Sequence, residues 1–119
     1  MSSRFVILEH THQGIHFDLM LEVDGQLRTW RLDTPPEPGR TLRAEPSFDH
    51  RLVYLEYEGP ISHNRGHVRQ WDAGTYSGDA RGATLVSVEL TGRRLCGRLE
   101  LRRSAEAAWD LAYVAGEVS

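Results

Sequence analysis

The sequence predicts a mainly β protein, a small closed or partly open antiparallel β-barrel with short helical turns. Apolar and polar residues alternate from Ile15 to Val23, and this period of two is typical of a strand with one apolar face. Asp24-Gly25 follows, a pair that favours a tight hairpin turn, so Gln26–Leu32 is the expected return strand. Many further short apolar runs separated by glycine-containing turns favour a barrel or a sandwich.

The remaining elements follow from the same signals. Arg4–Glu9 is an expected strand, and the proline-rich segment Pro35–Gly39 is an expected loop, because proline cannot donate to a central β-ladder. The only segments expected to hold a turn of helix are Ser104–Ala108 and Leu42–Phe48. Further strands are predicted at Arg51–Glu58, His67–Trp71, Thr84–Leu90, Leu95–Leu101 and Ala108–Val114.

Length and composition indicate an ordinary globular protein. The 119 residues predict a single domain over residues 1–119, and 39% hydrophobic with 26% charged residues is a common globular composition. Cys96 is the only cysteine, which excludes an intramolecular disulfide. The apolar segment after Met1 is short for a signal peptide, and no apolar run approaches the roughly 20 residues of a spanning helix. A cytoplasmic protein without membrane attachment is therefore expected.

The charge balance limits the kind of nucleic-acid binding to be expected. The formal net charge is −3, and all 14 basic residues are arginines. Proteins that bind long duplexes without sequence preference usually carry a pronounced basic excess, which this chain lacks. A few arginines can still hold one strand end, because the planar guanidinium fits a phosphate group.

Three residues have the spacing of a metal site. His16 and Asp18 are two apart in a predicted strand, so both side chains project from one face, and His10 ends the preceding strand. If these strands pair as a hairpin, two imidazoles and one carboxylate could bind one side of a divalent metal and leave open positions. A solvent-facing strand also carries such residues without a site, and His12 extends a histidine-rich turn. Spacing alone leaves both interpretations open.

Nearly the whole chain carries, in order, the residues of one known family. The first are Glu9-His10, then after five residues His16-Phe17-Asp18-Leu19-Met20-Leu21-Glu22, then Asp24-Gly25 and Trp30. The later ones are Asp49-His50, Tyr54, Glu58-Gly59, Trp71-Asp72-Ala73-Gly74-Thr75-Tyr76, Leu90-Thr91-Gly92-Arg93-Arg94-Leu95, Gly97-Arg98 and Trp109. In this order they resemble the 3′-phosphoesterase domain found in bacterial ATP-dependent DNA ligase D and in stand-alone proteins.

The resemblance implies a fold, an activity and a site. It implies a small β-barrel hydrolase that uses a divalent metal, typically Mn²⁺, in DNA repair by non-homologous end joining. It implies removal of a 3′-phosphate or a 3′-terminal ribonucleoside from DNA or DNA–RNA primer 3′ ends, with DNA-repair proteins as candidate partners. The family's metal ligands fall on His10, His16 and Asp18, and its phosphate-contacting histidine and tyrosine fall on His50 and Tyr54. The last two are four residues apart in what we expect to be a strand, so they should face the same way.

The chain also departs from the family pattern. Met20 stands where the family has an arginine aimed at the phosphate, and a methionine supplies neither charge nor donor. The family's lysine after the first tryptophan is missing, and Ile61–His67 differs from the family's glutamate- and tyrosine-bearing segment. Arginines that could approach the site from another strand or loop are Arg28, Arg31, Arg40, Arg43 and Arg65.

Three functions therefore compete. The first is a metal-dependent 3′-end phosphoesterase. The second is a binding module that keeps the metal site and recognises phosphorylated strand ends or a repair partner without efficient turnover, which Met20 and the altered loop favour. The third is a cupin-like oxygenase or isomerase, suggested by His16-x-Asp18-x-x-x-Glu22. It ranks lowest, because no second cupin motif follows.

Several other residues have predicted roles. Glu22 lies on the His16–Asp18 face, where it would either orient a metal ligand or remain solvated. Cys96 is expected to pack as a small apolar residue. The three tryptophans, Trp30, Trp71 and Trp109, are expected in the core or at the barrel ends rather than as base-stacking platforms.

Overall fold

The structure, a computed structural model, describes residues 3–116. These residues form nine strands and a single 3₁₀ turn at Leu52–Leu55. The strands are β1 (Ser3–Thr11), β2 (Ile15–Val23), β3 (Gln26–Leu32), β4 (Thr41–His50), β5 (Gly59–Pro60), β6 (His67–Asp79), β7 (Leu85–Gly92), β8 (Cys96–Ala105) and β9 (Ala108–Ala115). No helix in this part of the chain is long and apolar enough to cross a membrane.

Eight of the strands close into an antiparallel barrel. Neighbours pair in the order β1-β2-β3-β4-β9-β8-β7-β6, and β6 pairs back onto β1 from Ser3↔Tyr76 to Thr11↔His67. The two-residue β5 pairs with β6 beside the ring. Closure leaves no long open edge, and the predicted mainly β barrel is confirmed in its closed form.

The barrel wall has apolar side chains on two sides. The interior holds one large cluster that includes Phe5, Ile7 and Leu19. A smaller cluster lies on the outer surface, where the segment from the 3₁₀ turn to Ile61 covers part of β1 and β2. Its buried members are Val6, Leu8, Met20, Leu27, Leu55 and Val68. The first strand therefore reads as a continuous apolar run, Phe5-Val6-Ile7-Leu8, because both of its faces are covered.

Five local predictions were wrong. Leu42–Phe48 is strand, not a helical turn, with buried Leu42 and Ala44 alternating with exposed neighbours. Ser104–Ala108 is the tip of the β8–β9 hairpin, not a helical turn. Arg51–Glu58 is not a strand, because Leu55 is needed to cover the outer cluster and the chain forms a 3₁₀ turn there. Two of the glycine-containing segments expected to separate strands, Asp72-Ala73-Gly74 and Ser77-Gly78-Asp79, are not turns, because β6 continues through both and pairs with β1 and then β7.

The side chain of Asp72 ties two parts of the barrel together. It is fully buried, and its two oxygens accept hydrogen bonds from the backbone N–H groups of Arg93, Arg94 and Leu95 at 2.8, 3.1 and 2.9 Å. A further bond comes from its neighbour Ala73 at 2.9 Å. The β7–β8 turn is thereby fixed to β6, with its donors satisfied by one carboxylate.

We expect Asp72→Ala to lower the free energy of unfolding by about 3 kcal/mol, because several buried N–H groups lose their acceptor together. Chemical denaturation measures this change. Asp72→Asn should lose less, since the amide retains one acceptor oxygen. The matched control is Asp110→Ala, at an exposed position of β9, which should stay within about 0.5 kcal/mol of the parent. Equal losses for Asp72→Ala and Asp110→Ala would contradict this role.

Candidate metal centre

The β1–β2 hairpin brings His10, His16 and Asp18 together. His10 is the direct cross-strand partner of His16, and Asp18 lies two residues further along β2 opposite Leu8. The intervening turn uses positive φ angles at Gln13 and Gly14, 54° and 121°. The side chains of the three residues are only 18%, 12% and 11% exposed, in the order given. The juxtaposition expected from spacing is therefore present.

The distances within this cluster fit one divalent ion. Asp18 Oδ2 lies 3.4 Å from His16 Nε2 and 3.7 Å from His10 Nδ1, and one ligand atom from each residue lies within 4.8 Å of the others. Two ligands each about 2.1 Å from a metal are separated by roughly 3–3.5 Å, so small side-chain adjustments suffice. Two imidazoles and a carboxylate suit Mn²⁺, Fe²⁺ or Zn²⁺, with positions left for water and substrate.

A backbone carbonyl orients the ring of His10. Its Nε2 lies 2.7 Å from the carbonyl oxygen of Arg65, which can only accept, so Nε2 carries the proton. The lone pair is then on Nδ1, the nitrogen nearest Asp18. A hydrogen bond from the second ring nitrogen is typical of metal-binding histidines, because it fixes both tautomer and orientation.

Gly66 allows the loop that carries the Arg65 carbonyl to approach His10. Its φ is +76°, and a Cβ at this position would overlap the carbonyl of Thr11, at the end of β1. The carbonyl of Gly66 also accepts from the backbone N–H of Ile61 at 2.8 Å, which closes the loop. The loop therefore lies directly against β1, the strand that carries His10.

The environment of His16 favours its neutral form. Burial lowers the pKa of His16 below its ordinary value, and the positive charge of Arg31 and the proximity of His10 lower it further, against the opposing effect of Asp18. A neutral imidazole is the form that binds a metal.

A cavity of about 250 Å³ opens beside the cluster. His10 and Asp18 form part of its wall, and Leu8, Met20 and Val68 of the outer apolar cluster form another part. Its remaining lining residues include Phe48, Asp49, His50, Arg51, Tyr54, Ile61 and Arg65. Two of the three predicted metal ligands, His10 and Asp18, thus border one space with the predicted phosphate-contacting residues, whereas His16 does not line it.

The side chains of His50 and Tyr54 lie close together, but not on one strand as the sequence predicted. They do not share a strand: His50 ends β4, and Tyr54 lies in the 3₁₀ turn. Their ring centroids are nevertheless 5.6 Å apart at an interplanar angle of 86°. The chain turns after His50, so the two rings meet across the turn rather than through strand periodicity.

A β-bulge decides which way His50 faces. Leu27 pairs with His50 and Thr29 with Ser47, so two residue steps along β3 correspond to three along β4. Before this irregularity, the side chains of Leu42 and Ala44 point into the barrel interior. If side chains continued to alternate along β4, His50, at an even number of residues from both, would also point inward. The extra residue reverses that alternation, and His50 lies on the outer side with the cavity.

Thr29 fixes the tautomer of His50. Its hydroxyl donates to the carbonyl of Leu27 at 3.0 Å, so the same oxygen accepts from Nδ1 of His50, also at 3.0 Å. Nε2 of neutral His50 then carries the lone pair. Burial lowers the pKa of His50, aided by His10 and opposed by Asp18, the Phe48 backbone and Asp49. Sequence analysis missed Thr29, because only the β3–β4 register reveals its partner.

The arginines that were candidates for a phosphate contact differ in whether they line the cavity. Arg65 lines the cavity, whereas Arg28 donates to the carbonyls of Ala80 and Gly82 at 2.8 Å each and Arg40 lies 3.7 Å from Glu37. Arg31 and Arg43 are not among the cavity-lining residues. Arg51 does line it and was overlooked, because it was placed in a predicted strand.

The predictions for Glu22, Cys96 and the three tryptophans were confirmed only in part. Glu22 accepts from the backbone N–H of Arg4 at 2.9 Å and is not part of the cluster. Cys96 is exposed, so its predicted packing as an apolar residue was wrong. The placement of tryptophans in the core is confirmed for Trp30 and Trp109, which are buried in edge contact, and Trp71 is half-buried beneath Arg94.

Comparison with known proteins assigns the class of this barrel. The sequence model of the DNA ligase D 3′-phosphoesterase domain matches residues 8–103. The chain therefore belongs to the DNA ligase D 3′-phosphoesterase domain family, as the sequence resemblance indicated.

Particular relatives are much longer proteins. A multifunctional non-homologous end joining DNA repair protein LigD of Mycobacterium tuberculosis is 35% identical over 114 residues, covering 88% of this chain and 15% of the relative. A multifunctional non-homologous end joining protein LigD of Pseudomonas aeruginosa is 31% identical over 113 residues, covering 85% of this chain and 13% of the relative. The chain thus spans about one seventh of the length of these relatives.

The lowered pKa values of His16 and His50 predict a pH dependence of stability in metal-free protein. Both groups bind protons more weakly when folded than at the ordinary pKa of 6.5. Their contribution to stability is therefore fully present above about pH 6.5 and is lost as the pH falls through the lower folded pKa values.

Denaturation in the presence of a chelator at about pH 7.5 and about pH 5.5 measures this loss. His50→Asn, which retains a donor toward Thr29, should show a smaller loss than the parent. The control His63→Asn alters an exposed loop histidine and should leave the loss unchanged. A loss as large in His50→Asn as in the parent would contradict the contribution of His50.

Proposed function

We propose that this chain is a divalent-metal-dependent phosphoesterase that processes 3′ ends of DNA or DNA–RNA strands in DNA repair. Its reaction would be removal of a 3′-phosphate or a 3′-terminal ribonucleoside. The observation that carries the proposal is the single cavity bordered by His10 and Asp18 on one part of its wall and by His50 and Tyr54 on another. Membership of the 3′-phosphoesterase domain family and the end-joining relatives support it.

His10, His16 and Asp18 are the proposed ligands, with Mn²⁺ as the proposed metal. Such an ion would polarise a phosphoryl oxygen and lower the pKa of a bound water. The protein supplies the orientation: the Arg65 carbonyl holds His10 with its lone pair toward Asp18, and the lowered pKa keeps His16 neutral.

His50 and Tyr54 would act on the phosphate itself. Nε2 of His50 is the ring nitrogen left for substrate, because Nδ1 is bonded to Thr29. A bound phosphate dianion would raise the affinity of His50 for a proton, and the imidazolium would then donate that proton to the leaving oxygen. The Tyr54 hydroxyl would donate a hydrogen bond to a non-bridging oxygen.

Positive charge would come from the loops rather than from β2. Met20 is buried in the outer apolar cluster and supplies no charge. Arg51 and Arg65 line the same cavity. Within residues 3–116, Arg65 donates through Nε to the carbonyl of Ser62 at 2.9 Å, and its terminal N–H groups are left for a ligand. A guanidinium can hold two phosphate oxygens at once, so these arginines are the proposed replacements for the family arginine.

A second function is favoured by one observation, the apolar side chain of Met20 in the cavity wall. Without the strand-borne arginine, the domain could hold phosphorylated strand ends with little turnover, as a recognition module within DNA repair. Binding without conversion is the outcome that separates this function from the enzyme.

The decisive assay uses a primer–template that ends in a 3′-phosphate and a matched one that ends in a 3′-ribonucleotide, each with and without Mn²⁺. We expect metal-dependent conversion of at least one end and its loss in His10→Ala and Asp18→Ala, because each removes a metal ligand. His12→Ala is the matched control, an exposed histidine in the same hairpin turn that should remain active.

Calorimetric titration of Mn²⁺ into the same proteins tests the site itself. His10→Ala and Asp18→Ala should weaken Mn²⁺ binding at least tenfold while circular dichroism shows an intact barrel. Parent-like affinity in either variant would show that the metal site is misplaced. Tight Mn²⁺ binding by the parent without conversion of any 3′ end would favour the recognition module.

Arg65→Ala should lower kcat/KM for a 3′-phosphate end about 100-fold, because a donor to the developing charge is lost while the backbone carbonyl that holds His10 remains. Steady-state kinetics at saturating Mn²⁺ measures the effect. Arg40→Ala is the control, an exposed arginine paired with Glu37. An unchanged kcat/KM in Arg65→Ala would mean that Arg51 alone supplies the guanidinium that holds the phosphate.

A further inference from the structure

Phe48 is a large apolar side chain left in water beside the proposed active site. It is 71% exposed, the highest value among the exposed large hydrophobic residues of the described chain. Burying a phenylalanine stabilises a fold, and this contribution is absent here. Single exposed apolar residues are common, so the position of Phe48 rather than its exposure is informative. It lines the cavity that His10, Asp18 and His50 border.

The ring of Phe48 extends a row of aromatic groups. Its centroid lies 4.4 Å from that of His50 with an interplanar angle of 20°, a stacked arrangement, and His50 meets Tyr54 edge-on. His50 covers one face of Phe48, and the high exposure leaves the opposite face open. The outer end of the row is therefore a free aromatic plane next to the proposed phosphate-contacting groups.

The β4 bulge sets the position of this plane. Phe48 lies in the irregular stretch between Ser47 and His50, where β4 has one residue more than β3. Bulges commonly redirect side chains near active sites. Arg51 follows on the same cavity wall, so a cationic group and an aromatic plane border one space.

We propose that the open face of Phe48 stacks the 3′-terminal nucleobase of the strand whose 3′-phosphate is held beside His50. This inference rests on the proposed function and adds how the substrate is selected. Base–aromatic stacking is tolerant of sequence, because every base has a π face. The site then prefers a 3′-phosphate on a nucleotide over one that lacks a base, and it does so without reading the sequence.

The test compares two primer–templates that differ only at the 3′-terminal nucleotide, which either carries its base or is abasic, both with a 3′-phosphate. In the parent, KM for the abasic end should exceed that for the base-bearing end about tenfold, the size expected for one stacked base. In Phe48→Ala this ratio should fall to about one, whereas Phe48→Trp should preserve it, because indole offers a larger plane.

The matched control is Val114→Ala, which shortens another exposed apolar side chain, 64% exposed on β9, and should retain the parent ratio. A parent ratio near one, or a Phe48→Ala ratio equal to that of the parent, would overturn the inference while leaving the phosphoesterase assignment intact.

The inference also stays testable if the parent converts neither end. Equilibrium binding of the same two labelled ends is then measured by fluorescence anisotropy with Mn²⁺. A tighter Kd for the base-bearing end that disappears in Phe48→Ala would support stacking even though the enzymatic function had failed. Equal Kd values for both ends in the parent would overturn it.

Discussion

The pairing of β1 with both β2 and β6 is the constraint on which the rest of the structure depends. It closes the barrel, and it places β1 where one face lines the interior through Phe5 and Ile7 while the other carries Val6 and Leu8 outward. Apolar side chains on an outer barrel surface need a cover. The chain between β4 and β6 supplies it, and the same covering segment brings Tyr54, Arg65 and the carbonyl that orients His10 to the end of the β1–β2 hairpin.

The outer apolar cluster also shapes the chemistry of the site. Met20 lies between Asp18 and Glu22 on the outward face of β2, and its burial forms an apolar part of the cavity wall. Such surroundings disfavour the charged form of a nearby imidazole, which agrees with the lowered pKa of His50, a residue that lines the same cavity. Packing and reactivity are therefore coupled: the residue that departs from the family pattern stabilises the cover of the site and removes a cation from it.

Under the proposed function, the positive charge of the site would come from loops rather than from a strand. Side chains on strands are held more rigidly than those on loops, so Arg51 and Arg65 have more freedom than an arginine on β2 would have. Gly66 limits this freedom for the Arg65 loop, because the close approach to Thr11 fixes where the loop meets β1. Under the proposed function, the balance between turnover and recognition of a strand end would depend on how well these two guanidinium groups are positioned when a phosphate binds.

The sequence by itself determined the parts that depend on neighbouring residues. The period of two and the Asp24-Gly25 turn predicted β2 and β3, and the β1–β2 hairpin predicted the cluster of His10, His16 and Asp18, because both rest on local periodicity and short connections. The tertiary structure decided the rest. Strand alternation gives no sign of the β4 bulge that turns His50 outward, and the strand-like sequence around Tyr54 forms a 3₁₀ turn because long-range packing against β1 outweighs local β propensity.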